Sequence, residues 1–333
     1  MKFGVILAAI LGLAVATAVV GYIGFGAVFS ALTAIGWRGL VFLVVYSALP
    51  FVLLGSAWFA LAPGLAIGQI RVFIFARMVR DAAGELLPFS QLGGFVMGAR
   101  AVVLQGLTPT LASSTTIVDV TTELIAQLGF TGLGVAMLAL RLGAGSMHNA
   151  LVGAGLVGLL LSGLGAALLI TVQRRGSGLV ERLARRFAPG MADRARVIGE
   201  ALTVLYEQPL RLAIAVACHL AAWVASAAGA WLALRLAGLH IGLGAILAIE
   251  SLVCAVRSAA FIAPMGVGVQ EASYAVIGPL FGLGPDMSLA LSLLKRARDI
   301  AIGLPVLLIW QALEGHRLLG RSQARQALTP DTD

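Results

Sequence analysis

The sequence has few charged residues and almost no lysine. Asp, Glu, Lys and Arg make up 11% of its 333 residues, and Lys2 and Lys295 are the only lysines. A water-soluble domain of this length needs far more charge on its surface. With 60% hydrophobic residues and a mean hydropathy of +0.99, the chain is instead predicted to be an all-α, polytopic transmembrane helical bundle.

Cysteine and histidine are scarce as well. Cys218 and Cys254 lie in apolar runs, which argues against a disulfide framework. The four histidines are scattered, and their spacing fits neither a metal site nor a catalytic triad. A phosphate-binding Gly-Lys-Ser/Thr loop does not occur in the sequence, which argues against direct ATP coupling. We therefore expect no catalytic residues, no metal and no cofactor.

Arginine supplies most of the positive charge, and the net charge is +8. Seven arginines fall in segment 173–210, together with apolar residues at helical spacing. This pattern is typical of a cytoplasmic amphipathic helix on anionic lipid, and we expect that contact at residues 174–196. A membrane surface explains the high arginine content better than nucleic acid does, so no nucleic-acid partner is expected.

Segment 173–210 divides the chain into two membrane halves, 1–172 and 211–312, and a polar tail follows at 313–333. The first half is predicted to contain about four spans and one interrupted stretch, and the second half to echo this order. The predicted spans are about 3–24, 40–62, 116–140, 150–172, 212–236, 241–262 and 287–310.

The orientation of the chain is inferred from its first residues and its arginines. The apolar run after Lys2 extends to about Gly24, which is too long for the apolar part of a signal peptide. We interpret it as a first helix whose N-terminus faces the cytoplasm. Arg71, Arg77 and Arg80 then mark the segment after the second span as cytoplasmic. The side on which the tail lies stays open.

Each half contains a stretch in which proline and glycine interrupt an apolar run. We predict that segments 86–109 and 263–284 are re-entrant broken helices. The interrupting residues are Gly94 and Pro109 in the first, and Pro264, Gly266 and Gly268 in the second. Irregular backbone at membrane depth is tolerated only where protein buries it or it lines a cavity. Interrupted segments at matching positions of two halves indicate a transport site.

Ionisable residues accompany both stretches, and in a membrane such residues indicate a substrate path. Two plainer interpretations remain open. The charges near Lys295 could extend to the membrane surface, and Asp119 and Glu123 could favour the dipole at a helix start. Asp119 could also pair with Arg298 across the halves. The predicted path residues are Arg100, Asp119, Glu123, Arg257, Pro264, Gly266, Gly268, Glu271, Lys295, Arg298 and Asp299.

Glycine is abundant, with 41 residues. In membrane helices, small residues four apart let two helices approach closely. The pairs Gly94 with Gly98 and Gly158 with Ser162 have this spacing, and we predict that they serve helix packing.

The second interrupted stretch resembles a motif of a known family. The run Pro264-Met-Gly-Val-Gly-Val-Gln-Glu271 is similar to Pro-Gly-Gly-Leu-Gly-x-x-Glu in the flippase-like membrane region of lysylphosphatidylglycerol synthases. Arg298 and Pro305 resemble the Tyr-Arg-x(6)-Pro motif of that region, with Ala297 in the place of the tyrosine.

The first half resembles the same family more loosely. Segment 88–100 is similar to Pro-Gly-x-Leu-Gly-x-x-x-Arg, with Phe89 in the place of the glycine. Segment 119–123 resembles Glu-Arg-x-x-Asp, with Val120 in the place of the arginine.

Runs 80–94 and 114–123 resemble the hopanoid-biosynthesis-associated branch of this superfamily. The resemblance implies a multi-pass protein of the bacterial inner membrane that moves hopanoid or another polar lipid between leaflets or onward. Two alternatives stay open, a non-catalytic scaffold of a lipid biosynthesis complex and a lipid head-group transferase. We expect membrane lipids as partners and no enzyme activity, and we leave open whether the chain forms a homo-oligomer.

Overall fold

The computed structural model describes residues 36–87, 90–141, 146–175, 186, 190, 192–259 and 268–327. These ranges contain helices and no strand, so the predicted all-α class is confirmed. The helices are α1 (Trp37–Tyr46), α2 (Ala48–Ala60), α3 (Ile70–Leu86), α4 (Ser90–Leu104), α5 (Pro109–Arg141), α6 (Ser146–Arg175), α7 (Ala192–Tyr206), α8 (Pro209–Leu236), α9 (Leu243–Ala259), α10 (Val269–Leu280) and α11 (Pro285–Ala327).

Within the described ranges, four helical segments are long and apolar enough to cross a membrane. They are Trp37–Ala60, Pro109–Arg141, Asn149–Arg174 and Pro209–Leu236. Each overlaps one predicted span, and together they confirm a polytopic membrane protein. The first predicted span, near residues 3–24, lies outside the described residues.

The two remaining predicted spans of the second half are not among these four segments. Span 241–262 corresponds to α9, which has only 17 residues and contains Glu250 and Arg257. Span 287–310 corresponds to α11, which is long enough but contains four charged residues between 295 and 299. Residues 260–262 of the first of these spans lie outside the described residues, and both spans stay predictions.

Helices α3 and α4 form a close antiparallel pair. A Cβ on Gly94 would lie 2.5 Å from the carbonyl oxygen of Arg80, and one on Gly98 would lie 2.8 Å from the Arg80 Cβ. The glycine pair therefore serves packing, as predicted. Because α4 continues through Gly94, the expected break at this residue does not occur. A Cβ on Gly158 of α6, by contrast, would contact no neighbouring helix in the part of the chain that the structure describes.

Helix α5 lies at the centre of the bundle. It begins with Pro109 at its first position, where proline has no amide bond to lose. Along its 33 residues it packs against α4, α6, α7, α8 and α9. Side chains in its first half are therefore enclosed by other helices rather than by lipid.

In both halves a short helix precedes a long one, α4 before α5 and α10 before α11. Helix α10 lies antiparallel to α11, since Gly278 contacts Ser288 and Glu271 contacts Arg296. Helix α11 continues beyond residue 312 to Ala327. The re-entrant course of segments 86–109 and 263–284 stays a prediction.

Candidate functional site

Two arginines of α3 and two acids of α5 form a buried group of ion pairs. Arg80 Nη1 lies 2.6 Å from Asp119 Oδ2, and its Nη2 donates to Glu123. Arg77 donates to Glu123 Oε1 at 2.6 Å, and its Nη1 lies 3.4 Å from Asp119 Oδ2. The two guanidinium groups therefore share both carboxylates.

Asp81 and His219 complete this group. Arg77 Nε donates to Asp81, one helical turn away on α3, at 3.0 Å. His219 Nε2 on α8 lies 3.1 Å from Asp119 Oδ1. Asp119 and His219 are fully buried, and the side chains of both arginines are less than 5% exposed. We call Arg77, Arg80, Asp81, Asp119, Glu123 and His219 the buried ion network.

The buried ion network retains hydrogen-bonding capacity around Arg80. Its Nε is buried and has no hydrogen-bond partner among the described residues, and the same holds for His219 Nδ1. The Arg80 guanidinium lies 4.4 Å from the centre of the Phe95 ring, which covers one face of it. A buried donor without an acceptor is costly, so this position can take one more hydrogen-bond acceptor.

A second polar group lies between α9, α10 and α11. Lys295 Nζ donates to Glu250 and, at 2.9 Å, to the Tyr274 hydroxyl. Tyr274 in turn donates to Glu250 Oε1 at 2.5 Å, so the three side chains form a closed triangle. All three residues are buried. We call Glu250, Tyr274 and Lys295 the Glu250 triad.

Helix α9 connects the two groups, since it packs against α5 and against α10. Cys254 on α9 is within electrostatic range of Glu123 of the buried ion network and of Lys295 of the Glu250 triad. One helical turn further along α9, Arg257 donates to Glu85 on α3. Ionisable side chains therefore continue from α5 through α9 to α11, across both halves of the chain.

The glycine that opens α10 connects the interrupted stretch to α11. Gly268 has φ +81°, a conformation that favours glycine, and its amide donates to Glu271 Oε2 at 2.9 Å. The other Glu271 oxygen accepts from Arg296 Nε at 2.8 Å. Glu271 thus caps α10 and holds it against α11. Pro264 and Gly266 lie outside the described residues.

The remaining predicted path residues occupy two other places. Arg298 is bonded to its neighbour Asp299 at 2.5 Å, and Asp299 also acts electrostatically on Arg257. Arg100 on α4 forms a two-contact ion pair with Glu314 on α11, at 2.6 and 3.1 Å. This last pair is partly exposed, unlike the buried ion network.

Three interpretations of these charges are wrong. Asp119 is the eleventh residue of α5, too far from the helix start for its dipole to act. Lys295 is bonded inside the bundle and does not extend to the membrane surface. Asp119 pairs with Arg77 and Arg80, whereas Arg298 pairs with Asp299.

Several members of the site were not predicted from the sequence. Arg77 and Arg80 were interpreted only as markers of a cytoplasmic segment, and His219 only as one of four scattered histidines, yet all three are buried. Glu250 was overlooked, although it is the one charged residue in the apolar run 241–256. That isolation was the signal that could have identified it.

The geometry supports binding of a charged or polar group. In the ranges that the structure describes, no group of three or more His, Cys, Asp and Glu residues could hold a metal ion. In the buried ion network, two arginines face three carboxylates, and the guanidinium groups can exchange a carboxylate for a phosphate in the same paired geometry.

Comparison with known proteins gives one match. The family described as the lysylphosphatidylglycerol synthase TM region matches residues 9–306, which is nearly the whole chain. No curated protein and no solved structure matches the chain.

Proposed function

Because the chain belongs to the family of lysylphosphatidylglycerol synthase transmembrane regions, we propose that it moves a lipid between membrane leaflets, with the head group passing the buried ion network. The family suggests a function in membrane lipid chemistry, and the step from there to translocation is ours. The proposal places the protein in the inner membrane of a bacterium.

One observation carries the proposal, the buried ion network itself. Charged side chains inside a membrane protein are costly, and a purely structural bundle can replace them with apolar residues at little loss. Here α3 and α5 keep four charges in direct contact, with Asp119 fully buried. Such ion pairs can bind a charged head group while the lipid tails stay in the hydrocarbon of the bilayer.

The Arg80 side chain indicates the chemistry of that head group. Its unpartnered Nε is a donor that a phosphate or hydroxyl oxygen can satisfy. Once such an oxygen binds, Asp119 and Glu123 remain paired with Arg77, so no carboxylate is left alone. An exchange of partners between neighbouring ion pairs therefore keeps every charge compensated.

Hopanoid is the first candidate lipid. The two runs that resemble the hopanoid-associated branch, 80–94 and 114–123, contain Arg80, Asp119 and Glu123 of the buried ion network. The resemblance thus falls on the residues that would contact the head group. We also propose that the exposed arginines of α7, such as Arg194, lie against anionic lipid.

Leaflet exchange in liposomes tests the proposal. Purified protein is reconstituted with labelled hopanoid or labelled phosphatidylglycerol, and exchange is compared with that of empty liposomes. We expect faster exchange with the protein, and a loss of about tenfold or more in Arg80→Lys, which keeps the charge but lacks the Nε donor. Asp119→Asn should lose exchange as well.

Glu200→Gln provides the matched control, because Glu200 forms an exposed ion pair with Arg196 on α7. It should exchange lipid like the unaltered protein. Exchange that stays unchanged in a folded Arg80→Lys protein would remove the buried ion network from the path. Absence of exchange for both lipids in the unaltered protein would favour the membrane scaffold instead.

A further inference from the structure

A cavity of about 390 Å³ opens between the ends of α6 and α7, apart from the buried ion network. It is lined by Ile170, Thr171, Arg174, Thr203, Tyr206 and Glu207. Behind it, Gln173 accepts hydrogen bonds from Thr121 on α5 at 3.0 Å and from the Tyr206 hydroxyl. The wall of the cavity is therefore tied to the central helix.

The cavity contains one cation and one anion that are not paired with each other. Neither Arg174 nor Glu207 forms an ion pair with any described residue, and the Arg174 guanidinium lies 6.0 Å from the centre of the Tyr206 ring. Two opposite charges that line one cavity, and that have no ion-pair partner among the described residues, are complementary to a ligand that carries both charges.

The two threonines favour a ligand with N–H donors. Thr171 donates its hydroxyl hydrogen to Ala167 O at 2.7 Å, and Thr203 donates to Gly199 O at 3.1 Å. With those hydrogens engaged, both hydroxyl oxygens can act only as acceptors. A primary ammonium group has three donors for these oxygens and Glu207, whereas a quaternary ammonium has none.

An apolar helix face leads to the cavity. Leu160, Leu164 and Leu168 are 66–68% exposed, and at a spacing of four residues they share one face of α6. Thr171 continues that face. From Leu160 to Thr171 the helix rises about 16 Å, a length that suits a lipid acyl chain.

We propose that this cavity binds phosphatidylethanolamine, with the phosphate at Arg174, the ammonium group at Glu207 and the acyl chains along the leucines of α6. Phosphatidylglycerol would leave Glu207 opposite an anionic head group, and phosphatidylcholine would leave the acceptors without donors. This site is distinct from the proposed translocation path and does not depend on it.

Native mass spectrometry tests the assignment on the full-length protein in detergent. The protein is mixed with equal amounts of phosphatidylethanolamine, phosphatidylglycerol and phosphatidylcholine that carry identical acyl chains. We expect phosphatidylethanolamine to be retained about tenfold over each of the others, the factor typical of one charge-assisted contact. Soluble phosphoethanolamine at the same concentration should not displace it, because it lacks acyl chains.

The variants separate the two charges. Glu207→Gln should abolish the preference over phosphatidylglycerol, Glu207→Lys should reverse it, and Arg174→Gln should lower retention of all three lipids. Glu200→Gln, an exposed substitution on α7, should leave the retention of all three lipids unchanged. Equal retention of the three lipids by the unaltered protein, a preference that survives Glu207→Lys, or displacement by phosphoethanolamine would each overturn the proposal.

Discussion

Lys295 on α11 and Glu250 on α9 form an ion pair whose two side chains are no more than 10% exposed. Tyr274 closes the contact by bonding to both. Lys295 is one of two lysines in the chain, and Glu250 is isolated in an apolar run. Their contact joins three helices of the second half, so each charge compensates the other inside the bundle.

Removal of one partner of this pair should destabilise the protein strongly. Glu250→Gln leaves the Lys295 ammonium buried without a counter-charge, at a cost of roughly 3–5 kcal/mol in the free energy of unfolding. Lys295→Met leaves the Glu250 carboxylate buried without a counter-charge. Denaturant unfolding in detergent micelles measures both values.

The double variant Glu250→Gln with Lys295→Met provides the control, because it contains no unpaired charge. It should be more stable than either single variant. A double variant whose loss equals the sum of the two single losses would show that the ion pair contributes nothing.

Composition predicts the membrane class here, because a chain with 60% hydrophobic residues has too few polar residues to cover its surface in water. The partners of Asp119, by contrast, could not be predicted from the sequence. They come from α3 and α8, at separations of 39, 42 and 100 residues, and no local spacing encodes such contacts. The i,i+4 spacing of Arg77 and Asp81 was visible in the sequence. It was not used, because the clustered arginines were interpreted only as a marker of the cytoplasmic side.

The stability contribution of Asp119 on α5 should be coupled to that of Arg80 on α3 and not to that of Arg298 on α11. Because Arg80 Nη1 lies 2.6 Å from Asp119 Oδ2, a double-mutant cycle on Asp119→Asn and Arg80→Gln should give a coupling of roughly 0.5–3 kcal/mol in unfolding free energy. The same cycle on Asp119→Asn and Arg298→Gln should give about zero. Coupling of similar size in both cycles would contradict the arrangement of the buried ion network.

The contact between α3 and α4 should not tolerate a methyl group at Gly94. Its Cβ would lie 2.5 Å from the Arg80 carbonyl oxygen, a backbone atom that cannot rotate away. We expect Gly94→Ala to lower the free energy of unfolding by roughly 1–3 kcal/mol. Gly158→Ala on α6 is the matched control, since no atom of another described helix lies within 4 Å of the added carbon. A Gly94→Ala protein as stable as this control would place α4 further from α3.

Arg100 should contribute to transport more than to stability. Its ion pair with Glu314 is partly exposed, and exposed pairs contribute less than about 1 kcal/mol. Arg100→Gln should therefore unfold nearly as the unaltered protein does. Since Arg100 occupies the arginine position of the motif-like segment 88–100, leaflet exchange should nevertheless fall in this variant.

Arg317→Gln is the control, because Arg317 also joins α11 to α4, through a bond of 2.8 Å to Val103 O. Equal rates of lipid exchange in the two variants would show that Arg100 only holds α4 against α11 and has no role in transport.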